Sequence, residues 1–123
     1  TMSREIIGDV GGKPYSPGTR SGNLVFVSGQ LGLDSTGKLV SGGADAETRQ
    51  CIENLKAVLA KTGATLDDVT MVNVYITDLD NEYGAMNEVY SEYFGDLPPA
   101  RATVEISKLA LGGTVEISAI AVL

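Results

Sequence analysis

At 123 residues with a formal net charge of −7, the chain is long enough for one hydrophobic core and too acidic to be built around a phosphate backbone or an anionic lipid surface. Its single cysteine excludes an intrachain disulfide, and the lack of histidine excludes His-based triads and His metal ligands, so no metal site is expected. A hydrophobic content of 43% without low-complexity runs predicts a folded chain, read as one domain over 1–123. No stretch approaches the length of a membrane span, and the first residues lack the apolar core of a signal peptide. The expectation is a cytoplasmic protein with neither membrane nor nucleic-acid partners. Thr1, ahead of Met2, reads as a cloning remnant.

In chain order, Arg4–Ile7 predicts a short first strand, and Gly11–Gly18 a loop stiffened by two prolines and loosened by its glycines. Leu24–Gln30 (LVFVSGQ) predicts a strand that is apolar on both faces until it ends in Ser28-Gly29-Gln30. Asp34–Gly37 is a hairpin-type turn leading into a short strand at Lys38–Ser41. Ala44 to about Thr62 is the clearest helix. Asp45 is its expected N-cap, Gly63 its terminator, and Cys51, Ile52, Leu55, Val58 and Leu59 its apolar stripe, which makes Cys51 a core residue. Thr70–Thr77 (TMVNVYIT) has strand composition. Asp78–Asn81 is a turn and cap cluster, and a second helix runs from about Glu82 to Phe94 with a stripe of Tyr83, Met86, Tyr90 and Phe94 and Asn87 on the same side.

The last stretch, Pro98–Leu123, carries two more strands joined by the link Leu109–Gly113. Alternation puts Arg101, Thr103, Glu105 and Ser107 on one side of the first and Glu116, Ser118, Ile120 and Val122 on one side of the second. An arginine and a carboxylate placed near the starts of successive strands can act as a pair, one holding a substrate's negative charge and the other handling a proton or a water. The structural alternatives are an interstrand salt bridge from Arg101 to Glu105, and a Glu116 carboxylate that accepts backbone N–H groups at a subunit interface. The element order is β-β-β-α-β-α-β-β, an α+β arrangement with two helices covering one face of a mixed sheet. The other face keeps apolar side chains from Leu24–Val27 and Ile117–Val122, so burial against copies of the same chain in a closed symmetric oligomer is expected.

Three segments, PYSPGTRSGNLVFVSGQ, AMNEVYSEYF and PPARATVEISKLALGGTVEISAIAVL, resemble the YjgF/RidA family of reactive intermediate deaminases, in the same order and over nearly the whole chain. The most specific part is Pro99-Ala100-Arg101 with Val104-Glu105 and then Val115-Glu116-Ile117. The resemblance implies a chorismate-mutase-like α+β fold of the bacillus type and a homotrimer with clefts between subunits. It also implies cofactor-independent hydrolysis of 2-imino or enamine acids, such as 2-aminoacrylate, to 2-keto acids and ammonia.

On that resemblance Arg101 binds the substrate carboxylate, for which a planar guanidinium fork is suited and a lysine is not. Glu116 orients or activates the attacking water, and Tyr15 closes the cleft or offers a hydroxyl. Asn87 matches a family asparagine, with a structural hydrogen bond as its expected role. Ser28 and Gly29 end a strand near the cleft, and Gly29 fits either a close ligand approach or a β-bulge. Thr103 stands where many members have cysteine; it keeps a backbone N–H for the ligand and excludes thiol chemistry there. The link 109–113 lacks the proline and lysine common in the family, and Ser118 stands where a second acid is frequent. Other functions consistent with these residues are a non-catalytic keto-acid-binding regulator, a deaminase of a larger enamine and, least, the ribonuclease activity attributed to some relatives.

Overall fold

Why each segment takes its conformation is visible in the computed structural model, which describes residues 3–123; Thr1 and Met2, with the remnant reading of Thr1, lie outside the described residues. Strands β1 (Glu5–Ile7), β2 (Gly18–Ser21) and β3 (Leu24–Leu31) are followed by α1 (Ala44–Ala60), β4 (Val69–Ile76), α2 (Leu79–Phe94), β5 (Ala100–Glu105) and β6 (Val115–Val122). The strands form one sheet in the order β1-β2-β3-β6-β4-β5, with β4 and β5 parallel and the other pairs antiparallel.

The element order matches the expectation, but one of its members does not. The short strand expected at Lys38–Ser41 is absent; that segment makes a single bridge, Leu33 to Leu39, and is shaped by Asp34. The Asp34 carboxylate accepts from the Thr36 amide (2.8 Å), the Thr36 hydroxyl (2.6 Å) and the Lys38 amide (3.1 Å), which curls the chain into a turn. The third strand before α1 is instead β2, which pairs with β3 through a tight turn at Gly22-Asn23, where Gly22 adopts φ 59°. A Gly-Asn pair between extended runs is a hairpin signal that the polar composition of β2 conceals.

Helix α1 starts from Gly43, whose φ of 83° and ψ of −160° favour glycine, so Asp45 is not the N-cap but an acid in the first turn, facing the positive end of the helix dipole. Helix α2 begins three residues before the expected Glu82, because Asp78 caps it by accepting from the Asn81 amide at 3.2 Å. Both helices lie on one face of the sheet. Ile52, Leu55 and Leu59 of α1 and Met86 of α2 are fully buried there against Val25, Val72, Val74, Ile76, Val115 and Ile117. At roughly 1.5–3 kcal/mol per buried aliphatic side chain, this layer is the main stabilising term. Cys51 is in it, as its stripe position implied. The opposite face leaves Ile6, Leu24, Phe26, Val104 and Val122 exposed. Among the described residues no helix is long and apolar enough to cross a membrane.

Candidate functional site

The sheet register decides which of the expected site residues can meet. Strand β4 lies between β5 and β6, so Arg101 and Glu116 are not on neighbouring strands. Arg101 is opposite Val72 and Glu116 is opposite Tyr75. Val72 and Tyr75 are an odd number of residues apart, and successive side chains alternate sides. Arg101 therefore points to the helix-covered face and Glu116 to the open one. Within one chain the arginine and the acid do not form a pair.

The expected residues instead fall into two groups. The first is held by α2. Arg101 Nη1 donates to Asn87 Oδ1 and Nη2 donates to the Tyr83 hydroxyl, both at 2.8 Å. The guanidinium carbon lies 4.6 Å from the centre of the Tyr90 ring and 5.7 Å from that of Tyr83. Hydrogen bonds fix the plane of the fork and the rings support its faces. Two of its five N–H groups are engaged in these bonds, which leaves donors for an anion. The suggested bridge to Glu105 does not form: that carboxylate accepts from the Leu79 amide at 2.9 Å and caps α2. Thr103 sits on the same face, beside Arg101, Tyr83, Gly84, Asp80 and Leu79, and its buried hydroxyl has no hydrogen-bond partner among the described residues.

The stripe expected on α2 carries both residues, but sequence reasoning gave neither tyrosine a part at Arg101. Tyr83 is partly exposed and binds the arginine. Tyr90 is buried, and burial pushes its hydroxyl up to about 12 against a smaller opposing pull from Arg101. The signal was present: Tyr83, Asn87 and Tyr90 recur at i, i+4 and i+7 on one helix face.

The second group surrounds a hollow of about 490 Å³ at the end of β3, lined by Tyr15, Ser28, Gly29, Gln30 and Glu116 together with Lys13 and Asn54. Its floor is irregular because β3 carries a register shift between Val27 and Gln30, which agrees with the bulge alternative for Gly29. A further reason for the glycine emerges there. A β-carbon at Gly29 would lie 2.7 Å from the Glu116 carboxyl carbon and 2.8 Å from its Oε2, so the missing side chain is the space the carboxylate occupies. The Ser28 hydroxyl donates to the Ser16 carbonyl at 2.6 Å and the Ser28 amide to the Pro17 carbonyl at 3.0 Å, tying the proline loop to the bulge. This brings Tyr15, 57% exposed, to the rim beside Glu116. Asn54 of α1 completes the wall by donating to the carbonyls of Leu31 (3.1 Å) and Leu33 (3.0 Å).

Chemically, the first group is an oriented cation and the second a carboxylate and a phenol around a hollow. A family model described as Endoribonuclease L-PSP matches residues 11–123. The chain is 49% identical over 109 residues to a RutC family protein of Pyrococcus abyssi, covering 88% of this chain and 85% of that one. It is 40% identical over 110 residues to a Mus musculus protein named 2-iminobutanoate/2-iminopropanoate deaminase, covering 89% and 81% of the two. The crystal structure of RidA from an Antarctic Psychrobacter superposes with a TM-score of 0.86 at 36% identity, covering 100% of both chains. That of E. coli TdcF with bound serine superposes with a TM-score of 0.89 at 31% identity, covering 97% and 98%. With a chorismate-mutase-like α+β fold shared by such neighbours and a family match over most of its length, the chain belongs to the endoribonuclease L-PSP family, the YjgF/RidA group.

Proposed function

We propose that the protein hydrolyses reactive 2-imino or enamine acids to 2-keto acids and ammonia, in clefts formed where copies of the chain meet. The observation that carries this is the state of Arg101: a fork held flat by Asn87 and Tyr83, supported by Tyr90, with donors to spare. Such a group suits a planar carboxylate. The deaminase name of the mouse relative supports this reaction class.

Because Arg101 and the Glu116 hollow are on opposite faces of one sheet, a complete site needs the arginine of one copy beside the hollow of another. The exposed apolar side chains Leu24, Phe26, Val104 and Val122 on the open face support association of copies, and a homotrimer is the proposed state. In the assembled cleft Arg101 holds the substrate carboxylate. A protonated imine carbon is already electrophilic, so the reaction needs a placed water and a proton acceptor. Glu116 takes a proton from the water as its oxygen bonds to the imine carbon. The resulting carbinolamine then expels ammonia to leave the keto acid. Tyr15, at the rim of the same hollow, closes over the substrate or donates a hydrogen bond to it, and Thr103, Ser28 and Gly29 border the bound acid. No cofactor is required by this chemistry.

The test is to generate 2-imino acids in situ with an amino-acid oxidase and follow keto-acid release. Wild type accelerates release, and Arg101→Ala abolishes the acceleration while its oligomeric state, read by light scattering, persists. Undiminished activity in Arg101→Ala overturns the assignment. A wild type that binds keto acids without turnover selects the second reading, a binding protein, for which the Arg101 group alone suffices.

A further inference from the structure

Glu47 is a buried acid that the reaction scheme above does not use. It lies one helical turn before Cys51 on the buried side of α1 and is 4% exposed. Burying a carboxylate is costly unless hydrogen bonds replace its water. Glu47 Oε1 accepts from the Thr114 amide at 2.7 Å and from the Val115 amide at 3.4 Å, the two residues that immediately precede Glu116. The same entry point of β6 is gripped elsewhere. The Thr114 carbonyl accepts from the Thr77 amide at 3.1 Å, and a β-carbon on Gly113 would lie 2.9 Å from Leu31 Cδ2. The helix is held close to the end of β3 in turn: a β-carbon on Gly32 would meet the Glu47 Cα at 2.9 Å. From helix to strand to site, the sequence of contacts is Glu47, the Thr114 and Val115 amides, Glu116, and the space above Gly29.

We propose that Glu47 is a positioning residue for the Glu116 hollow: by anchoring the first amides of β6 to α1, it sets the place at which the Glu116 carboxylate is presented. The inference rests on the hydrolytic function proposed above for that hollow. The needed property is reach rather than charge, since the acceptor oxygen must arrive at the Thr114 amide from the helix.

Two conservative variants separate these. Glu47→Gln keeps an acceptor oxygen at the same length and drops the charge, while Glu47→Asp keeps the charge and withdraws the oxygen by one methylene. The expected order of kcat for imine hydrolysis is wild type, then Gln within about threefold, then Asp lower by about tenfold or more, with KM little changed because the substrate carboxylate is held at Arg101. Amide NMR provides the readout that does not depend on turnover. The Thr114 and Glu116 amide signals and their exchange protection are retained in Glu47→Gln and altered in Glu47→Asp. An Asp variant that matches wild type, or a Gln variant as impaired as Asp, overturns the proposal. A wild type without imine hydrolysis, but with the expected NMR ordering, overturns the proposed function and leaves the anchoring intact.

Discussion

Gly29→Ala tests the structural account of the Glu116 hollow most directly. Gly29 does not adopt the left-handed φ that would require glycine, so alanine avoids that strain there. The conflict is local: the new β-carbon would stand 2.7 Å from the Glu116 carboxyl carbon, and the carboxyl must retreat by about 0.7 Å to reach an ordinary contact of 3.4 Å. Overpacking of this kind costs about 1–3 kcal/mol, and the flexible end of a glutamate keeps the cost near the lower limit. Against it stands about 0.4–1 kcal/mol gained from the less flexible unfolded chain. Urea unfolding at one fixed protein concentration is therefore expected to show Gly29→Ala as neutral to about 0.6 kcal/mol destabilised in the wild-type background. In a Glu116→Ala background the same change is expected to stabilise by about 0.4–1 kcal/mol. A displacement approaching 1 Å is enough to lower kcat by about 10- to 100-fold if Glu116 places the water. Equal effects on stability in the two backgrounds, within about 0.5 kcal/mol, would refute the claim that Gly29 exists to make room for the carboxylate.

Two further outcomes follow from buried groups. Burial, with smaller contributions from the Glu47 and Glu116 carboxylates, raises the Cys51 thiol well above its usual range, so the native protein is expected to resist thiol reagents at pH 8 and to label only as fast as it unfolds; rapid native labelling would contradict its core placement. The Tyr90 hydroxyl is pushed up to about 12 in the folded state, so its contribution is fully present below the unfolded value near 10 and is lost as pH rises toward 12. Melting curves across that interval should fall more steeply for wild type than for Tyr90→Phe. Because the buried hydroxyl has no partner among the described residues, Tyr90→Phe is expected to be neutral or slightly stabilising at pH 7, and a loss above about 2 kcal/mol would argue that the hydroxyl is in fact satisfied.

Patterning and composition located both helices and five of the six described strands, because one-sided burial writes its period into the chain: 3.6 in the Cys51–Leu59 stripe, 2 in Val115–Val122. The turns were harder. Gly43 and Asp78, rather than Asp45 and Glu82, begin the helices, since a cap is chosen by backbone geometry that several nearby residues could have supplied. The chain also offered candidates for the chemistry, as an arginine fork, an acid and a tyrosine in a proline-stiffened loop carry their capabilities wherever the fold takes them. What it could not determine was who faces whom. The order β6-β4-β5 separates Arg101 from Glu116 and the pairing register sends them to opposite faces; both are matters of long-range strand pairing, which leaves no periodic trace. The partners of each group, Asn87 and Tyr83 at the arginine and Gly29 at the acid, were likewise decided only by tertiary contact, because they arise between segments that the linear chain keeps apart.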